Sequence, residues 1–144
     1  MDYDLIVIGA GYGGFDAAKH AAEKGLKTAI IESREMGGTC VNRGCVPSKA
    51  LLAASGRVRE LSDGEHLSSF GITPGTVQFD RQAIADHANQ LVENIRANLT
   101  KSLERAGVTI VRGVAQLAGP QQVAVRQSNG VERVLSATDV LIAT

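Results

Sequence analysis

The stretch Leu5-Ile6-Val7-Ile8-Gly9-Ala10-Gly11-Tyr12-Gly13-Gly14 lies at the start of the chain and decides the fold. Its first four residues form a continuous apolar run, which is typical of a strand buried on both faces of a parallel sheet. Gly9, Gly11 and Gly14 then match the pattern GxGxxG, in which the glycines allow a tight turn, close approach of a pyrophosphate, and packing of a helix on the strand. The stretch therefore predicts a βαβ unit that binds a dinucleotide at a helix N-terminus.

The residues that follow complete this unit. Small and apolar side chains recur at helical spacing after Gly14, and Gly25 is placed to end the helix. Thr28–Glu32 predicts the second strand. Glu32 ends that strand, where an acidic side chain accepts hydrogen bonds from ribose hydroxyls and disfavours a 2′-phosphate. A solvated acid at the strand end is the alternative interpretation.

The rest of the chain predicts further helices and strands. We expect a helix over residues 48–61, a surface loop over 62–75, and a long helix that begins after Asp80 and ends near Gly107. The long helix carries one apolar stripe, formed by Ile84, Ala88, Leu91, Ile95, Leu99 and Leu103. Residues 108–111 predict a strand, and Asn129-Gly130 predicts a hairpin between residues 123–125 and 131–135. Residues 140–144 form a last apolar run.

Length and charge exclude several classes of function. A chain of 144 residues suits one domain with a core of its own. The 15 Lys and Arg residues balance 15 Asp and Glu residues without a basic patch, so no nucleic-acid partner is expected. No apolar stretch reaches the roughly 18 residues that a membrane span needs. Without a secretion leader at Met1, we expect a cytoplasmic protein, or an organellar stroma or matrix protein after removal of a transit peptide.

Cys40 and Cys45 are the only cysteines, and they lie in the glycine-rich stretch Gly37-Gly38-Thr39-Cys40-Val41-Asn42-Arg43-Gly44-Cys45-Val46-Pro47-Ser48-Lys49. Five residues of ideal helix turn through about 500°, so a disulfide, which needs Cα atoms within about 7 Å, would require irregular backbone between them. Gly44 tolerates such backbone.

Three interpretations of the cysteine pair stay open at this point: a metal site, two inert buried thiols, and a redox-active disulfide. A metal site would need further ligands, and His20, His66 and His87 are scattered along the chain. Free cysteines are often simply buried, although a glycine-flanked segment is an unusual place for an inert thiol. A lone pair of cysteines in a chain without a secretion signal is more often catalytic or redox-sensing than structural.

Taken together, residues 9–14, Glu32 and residues 37–49 resemble the N-terminal flavin domain of the FAD-dependent pyridine nucleotide-disulfide oxidoreductases. Residues 138–144, Thr-Asp-Val-Leu-Ile-Ala-Thr, resemble the second flavin motif of that family, which ends in Ala-Thr-Gly. The resemblance implies an α/β, Rossmann-like FAD-binding domain with a parallel sheet and a β-hairpin or meander insertion. We therefore expect residues 1–144 to be the first part of a longer protein, with the NAD-binding and dimer-interface domains outside this chain.

The resemblance also implies the cofactor and the site. FAD is expected with its pyrophosphate over Gly9, Gly11 and Gly14, its ribose on Glu32 and its adenine near Ala115. The rest of the flavin site is implied to include Gly38, Thr39, Cys40, Lys49 and Thr144. In the family, electrons pass between NAD, the flavin and a Cys-Cys disulfide. Cys45 is implied to be the thiolate against the flavin, and Cys40 the interchange thiol that attacks the substrate.

Within the family, Pro47-Ser48-Lys49-Ala50-Leu51-Leu52 is similar to the members that oxidise dihydrolipoamide, and residues 53–61 are similar to their cyanobacterial and plastid form. That similarity implies a homodimer whose partner is a lipoyl-bearing acyltransferase or carrier protein of a 2-oxo acid dehydrogenase or glycine-cleavage complex. Residues 1–144 alone are expected to be inactive. The alternatives are a glutathione reductase, a mercuric reductase, or a non-enzymatic FAD- or dithiol-binding module.

Overall fold

The computed structural model describes residues 1–144, which form six strands and five helices. In chain order these elements are β1 (Tyr3–Ile8), α1 (Tyr12–Glu23), β2 (Thr28–Glu32), α2 (Gly38–Arg43), α3 (Cys45–Ser62), α4 (Gly64–Ser69), α5 (Arg81–Arg105), β3 (Thr109–Arg112), β4 (Val114–Gly119), β5 (Gln122–Arg126) and β6 (Glu132–Ile142). No helix has the length and apolar character that crossing a membrane requires.

The six strands form one sheet in the order β3-β2-β1-β6-β5-β4. β3, β2, β1 and the second half of β6 run parallel, and Val7 of β1 lies between Ile30 of β2 and Leu141 of β6. The first half of β6 pairs with β5 in an antiparallel hairpin, and β4 continues that meander. The expected class, a Rossmann-like α/β domain with a meander insertion, is confirmed.

Two apolar clusters cover the two faces of the sheet. On one face, Val7 and Ile30 pack with Phe15 of α1 and with Leu99 and Leu103 of α5. On the other face, residues of β1, β2 and β3 pack against the meander; this cluster consists of Ile6, Ala29, Ile31, Val111, Val123, Val125, Leu135 and Ala137. Burial on both faces explains why β1 and β2 are continuous apolar runs.

The long helix has the predicted start. The Asp80 carboxylate accepts hydrogen bonds from the N–H groups of Gln82 at 2.8 Å and Ala83 at 3.2 Å, and α5 begins at the next residue. The predicted stripe is only partly buried. It omits Val92, which is buried, whereas its members Leu91 and Ile95 are half-buried.

Several expected boundaries were wrong. The helix expected over residues 48–61 begins at Cys45, because Pro47 fits into a first helical turn, where its missing N–H costs no bond. The expected loop over residues 62–75 contains α4, whose N-terminus is capped by the Asp63 side chain. The runs at residues 131–135 and 140–144 belong largely to one strand, β6, which ends at Ile142. Neither α2 nor β4 was predicted.

Candidate dinucleotide and dithiol site

A cavity of about 460 Å³ lies where the carboxyl ends of the parallel strands meet. In open α/β sheets this edge is where ligands bind. The cavity is lined by the loop after β1, the end of β2, the start of α2, the turn between β3 and β4, and the residues after β6. Of the predicted site residues, it brings together Gly9, Gly11, Glu32, Gly38, Thr39, Ala115 and Thr144.

The three glycines of the GxGxxG pattern occupy different environments. Gly9 has φ +102°, and a Cβ there would lie 2.5 Å from the carbonyl oxygen of Ala143. A Cβ at Gly14 would overlap the carbonyl oxygen of Gly9, so this glycine lets α1 lie close against β1 although it does not line the cavity. A Cβ at Gly11 would meet nothing within 4 Å. The backbone at Gly11 is therefore open to an approaching ligand.

The N-terminus of α1 faces this opening with unused donors. Gly11 is the N-cap residue, no side chain caps the helix, and its first turn carries no acidic residue. The first N–H groups of a helix have no partner within the helix, and the helix dipole adds positive potential there. The arrangement suits the binding of a phosphate or pyrophosphate group.

Glu32 holds the loop after β1 while it lines the cavity. Its Oε2 accepts a hydrogen bond from the N–H of Ala10 at 2.8 Å, and its Oε1 accepts one from the N–H of Arg34 at 2.7 Å. A carboxylate oxygen has two lone pairs, so each oxygen can still accept a hydrogen bond from a ligand hydroxyl. Glu32 is half-buried and bonded, so the interpretation as a solvated acid does not describe it.

The cavity also contains residues that sequence reasoning missed, among them Ser33, Arg34, Gly113 and Val114. Gly113 has φ +154°, and a Cβ there would lie 2.7 Å from the carbonyl oxygen of Arg126. Its N–H donates to the carbonyl of Glu32 at 3.0 Å. A glycine directly after a β-rich run was the available signal, as it was at Gly9.

The two cysteines lie at the junction of α2 and α3. α2 ends at Arg43, Gly44 interrupts the helix, and Cys45 is the first residue of α3. A Cβ at Gly44 would lie 3.0 Å from the carbonyl oxygen of Thr39 and 3.2 Å from the Cα of Cys40, so a larger residue would push the two backbone segments apart. Gly44 supplies the irregular backbone that a bridge would require.

Both cysteines are free thiols, and their side chains lie close enough together that each shifts the pKa of the other. Cys40 is half-buried and Cys45 is exposed, so inert burial does not describe them. No cluster of three or more His, Cys, Asp or Glu side chains is present that could hold a metal ion. The two cysteines form a reduced dithiol pair. Two of the predicted flavin-site residues, Cys40 and Lys49, do not line the 460 Å³ cavity.

Hydrogen bonding from Cys40 toward Cys45 is the main cause that makes the pKa values of the two thiols unequal. The bond from Cys40 lowers the pKa of Cys45, burial opposes this, and the positive charge of Lys49 lowers the pKa further. The same hydrogen bond raises the pKa of Cys40, and burial raises it too. Cys45 therefore loses its proton first, and the thiolate is the form that takes part in thiol–disulfide exchange.

Fold and site together define an α/β dinucleotide-binding domain that carries a thiol pair on the helices next to its cavity. The sequence profile of the family described as "Pyridine nucleotide-disulphide oxidoreductase" matches residues 3–144. The chain belongs to that family.

Two relatives share more than half of their aligned residues with this chain. It is 57% identical over 142 residues to "Dihydrolipoyl dehydrogenase" of Synechocystis sp. (strain ATCC 27184 / PCC 6803 / Kazusa), covering 99% of this chain and 30% of that protein. It is 54% identical over 144 residues to "Dihydrolipoyl dehydrogenase 2, chloroplastic" of Arabidopsis thaliana, covering 100% of this chain and 24% of that protein. The chain thus spans less than a third of the length of these curated relatives.

Proposed function

We propose that residues 1–144 form the FAD-binding, dithiol-bearing part of a dihydrolipoyl dehydrogenase that oxidises protein-bound dihydrolipoamide and passes the electrons to NAD. The observation that carries the proposal is the pair of free thiols, Cys40 and Cys45, which the close backbone approach at Gly44 brings together next to a dinucleotide cavity. The names of the two relatives support the choice of substrate.

The cavity suits the ADP half of FAD. The open backbone at Gly11 and the uncapped N-terminus of α1 would receive the pyrophosphate, and the free lone pairs of Glu32 would receive the ribose hydroxyls. The wall around Ala115 would contact the adenine. The bound flavin would accept two electrons from the dithiol and deliver them to NAD, whose site we place outside residues 1–144.

Gly38, Thr39, Cys40, Lys49 and Thr144 would complete the flavin site. Thr39 and Thr144 line the same cavity as Glu32, so one extended ligand can contact all three residues. Lys49 lies on α3 and lowers the pKa of both thiols. Its charge would therefore favour the thiolate at the time when electrons leave the dithiol.

Unequal thiols suit an exchange reaction with a substrate dithiol. In the oxidised protein, a substrate thiolate would attack the sulfur of Cys40, which breaks the Cys40–Cys45 bond and leaves Cys45 as a thiolate. The second substrate thiol would then attack the mixed disulfide at the substrate sulfur and release Cys40. Two electrons and two protons pass from substrate to protein. Cys45 is the better leaving group because its pKa is lower.

The proposed partner is a lipoyl-bearing acyltransferase or carrier protein of a 2-oxo acid dehydrogenase or glycine-cleavage complex. We propose that the full-length protein acts as a homodimer, in the cytoplasm or in an organellar stroma or matrix. The chloroplastic relative supports the second compartment.

Purified full-length protein tests the proposal. Dihydrolipoamide should change the flavin absorbance in the absence of NAD and produce the long-wavelength thiolate-to-flavin band, and NADH should form once NAD is added. Cys40→Ser should lose this turnover but keep bound FAD, because Cys40 makes the first bond to the substrate. Full turnover in both Cys40→Ser and Cys45→Ser, or a purified protein without flavin, would contradict the proposal.

A further inference from the structure

Asn42 lies between the two cysteines in the sequence, and its side-chain amide makes three hydrogen bonds. Its Nδ2 donates to the carbonyl oxygen of Met36 at 2.9 Å and to that of Gly38 at 2.8 Å. Its Oδ1 accepts from the Nε of Arg96 at 2.9 Å. The Asn42 amide therefore links the segment before α2, the first turn of α2 and the distant helix α5.

Arg96 is held in a fixed position and so fixes the position of this amide. It lies in the middle of α5, a helix of 25 residues that buries Val92 and Leu99 in the core on either side of it. Its Nη1 lies 3.6 Å from Glu93 one turn earlier, and its side chain is only 32% exposed. Because α5 is packed on the sheet, the Nε–H of Arg96 presents a fixed donor to the cysteine segment.

Besides Asn42, the α2 side chain with a hydrogen bond is Arg43, whose Nη2 donates to both carboxylate oxygens of Glu35, just before the helix, at 3.1 Å. α2 has six residues, and Val41 is the one that is buried. An isolated helix of this length is not stable in water, so its geometry depends on tertiary contacts. Met36, which precedes α2, is fully buried and supplies the carbonyl that Asn42 binds. Cys40 lies on this short helix, and its distance from Cys45 depends on where the helix is held.

We infer that Asn42 and Arg96 are positioning residues for the redox dithiol: the bond between them fixes α2 so that Cys40 stays within bonding reach of Cys45. The inference rests on the proposed function in one respect, that the pair cycles between dithiol and disulfide. Arg96 acts through Asn42 by geometry, since the cation whose charge acts on both thiols is Lys49.

The test measures the equilibrium between the Cys40–Cys45 dithiol and glutathione disulfide, which yields the protein disulfide and two molecules of glutathione. The full-length protein is equilibrated in glutathione buffers of known composition, alkylated, and analysed by mass spectrometry. The variants are Asn42→Ala and Arg96→Met. Arg105→Met is the matched control, because Arg105 is an exposed arginine on the same helix without a side-chain hydrogen bond or ion pair.

We expect the equilibrium constant for disulfide formation to fall about tenfold in Asn42→Ala and in Arg96→Met, which equals a shift of about 30 mV in the potential of this two-electron couple. Arg105→Met should match the wild type. The double variant should differ little from Asn42→Ala, because Asn42→Ala already breaks the bond to Arg96.

Arg96→Met decides the question if Asn42→Ala fails to fold, since the hydrogen bond and ion pair of Arg96 go to Asn42 and Glu93 and not to the thiols. Wild-type values in folded Arg96→Met protein, or full additivity of the two substitutions, would overturn the inference while leaving the proposed function intact. A wild-type protein that forms no disulfide at all would overturn the proposed function as well.

Discussion

Gly11 and Gly14 belong to one sequence pattern, but from the structure we expect the same substitution to affect a different property at each position. Gly14 faces the carbonyl group of Gly9, and its added Cβ would overlap that oxygen and lie 3.3 Å from Cγ1 of Val7. Gly11 faces open space. Gly14→Ala should therefore lower the stability of the fold, whereas Gly11→Ala should lower the affinity for FAD.

The magnitude for Gly14→Ala follows from packing. Overpacking a tight site costs about 1–3 kcal/mol, and the upper end applies here because the obstacle is backbone and cannot rotate away. Alanine regains up to about 1 kcal/mol of helix propensity over glycine. We therefore expect the free energy of unfolding to fall by about 2 kcal/mol, which corresponds to a factor of roughly 30 in the folding equilibrium.

For Gly11→Ala we expect almost no change in the free energy of unfolding. The backbone there has φ −66° and ψ 177°, which alanine adopts without strain, and the loss of chain entropy in the unfolded state stabilises by about 0.4–1 kcal/mol. Alanine is a poorer N-cap than glycine, which offsets this gain. A methyl group in the path of the pyrophosphate should weaken FAD binding at least about tenfold, or about 1.4 kcal/mol. Valine at Gly11 should weaken it further.

The assays are urea unfolding of the flavin-free full-length protein, followed by circular dichroism, and titration of FAD by quenching of its fluorescence. Each glycine serves as the control for the other, because the substitution is identical. The reasoning is refuted if Gly11→Ala destabilises the protein as much as Gly14→Ala, or if Gly11→Ala binds FAD like the wild type.

The remaining predictions concern the site and the chain as a whole. Lys49→Met should raise the pKa of Cys45, because a positive charge that favours the thiolate is removed; alkylation of the reduced protein by iodoacetamide should slow at neutral pH, and an unchanged pH profile would contradict this. Glu32→Ala should destabilise even the flavin-free protein by about 1–3 kcal/mol in urea unfolding, because the N–H of buried Ala10 loses its acceptor. Cys45→Ser should abolish the long-wavelength thiolate-to-flavin absorption of the reduced full-length protein, whereas Cys40→Ser should retain it. Residues 1–144 expressed alone, with FAD added, should form no NADH from dihydrolipoamide; turnover near that of the full-length protein would contradict our assignment of the NAD site to the rest of the protein.

The βαβ core could be predicted from the sequence because its signals are local. Leu5 to Ile8 are apolar without interruption, and the bounds predicted for β2 agree with the structure. The Asp80 cap could be predicted for the same reason, since its acceptor and donors are three residues apart or fewer. The elements that were missed lack such signals. β4 exposes nearly all of its residues, so no apolar alternation marks it.

Long-range contacts account for what could not be predicted about the site. Gly113 reaches the cavity because β3 pairs with β2, which brings it beside Glu32 from a distant part of the sequence. The bond between Asn42 and Arg96 joins residues 54 positions apart. Nothing in the sequence around Asn42 indicates that its amide would have three hydrogen-bond partners. Residue type and spacing identify candidate groups, but the sheet register decides which of them meet.

α2 connects the two chemical parts of the site through its own backbone. Its N-terminus rests on the glycine-rich loop, since the N–H of Gly37 donates to the carbonyl of Ala10 at 2.8 Å and a Cβ at Gly38 would lie only 2.9 Å from the Cα of Gly11. Two residues later the same helix carries Cys40. A ligand that orders the glycine-rich loop must therefore also restrict the helix that sets the distance between the thiols. The cofactor cavity and the dithiol are therefore coupled through α2. The glycines at positions 37, 38 and 44 allow the close contacts on which this coupling depends.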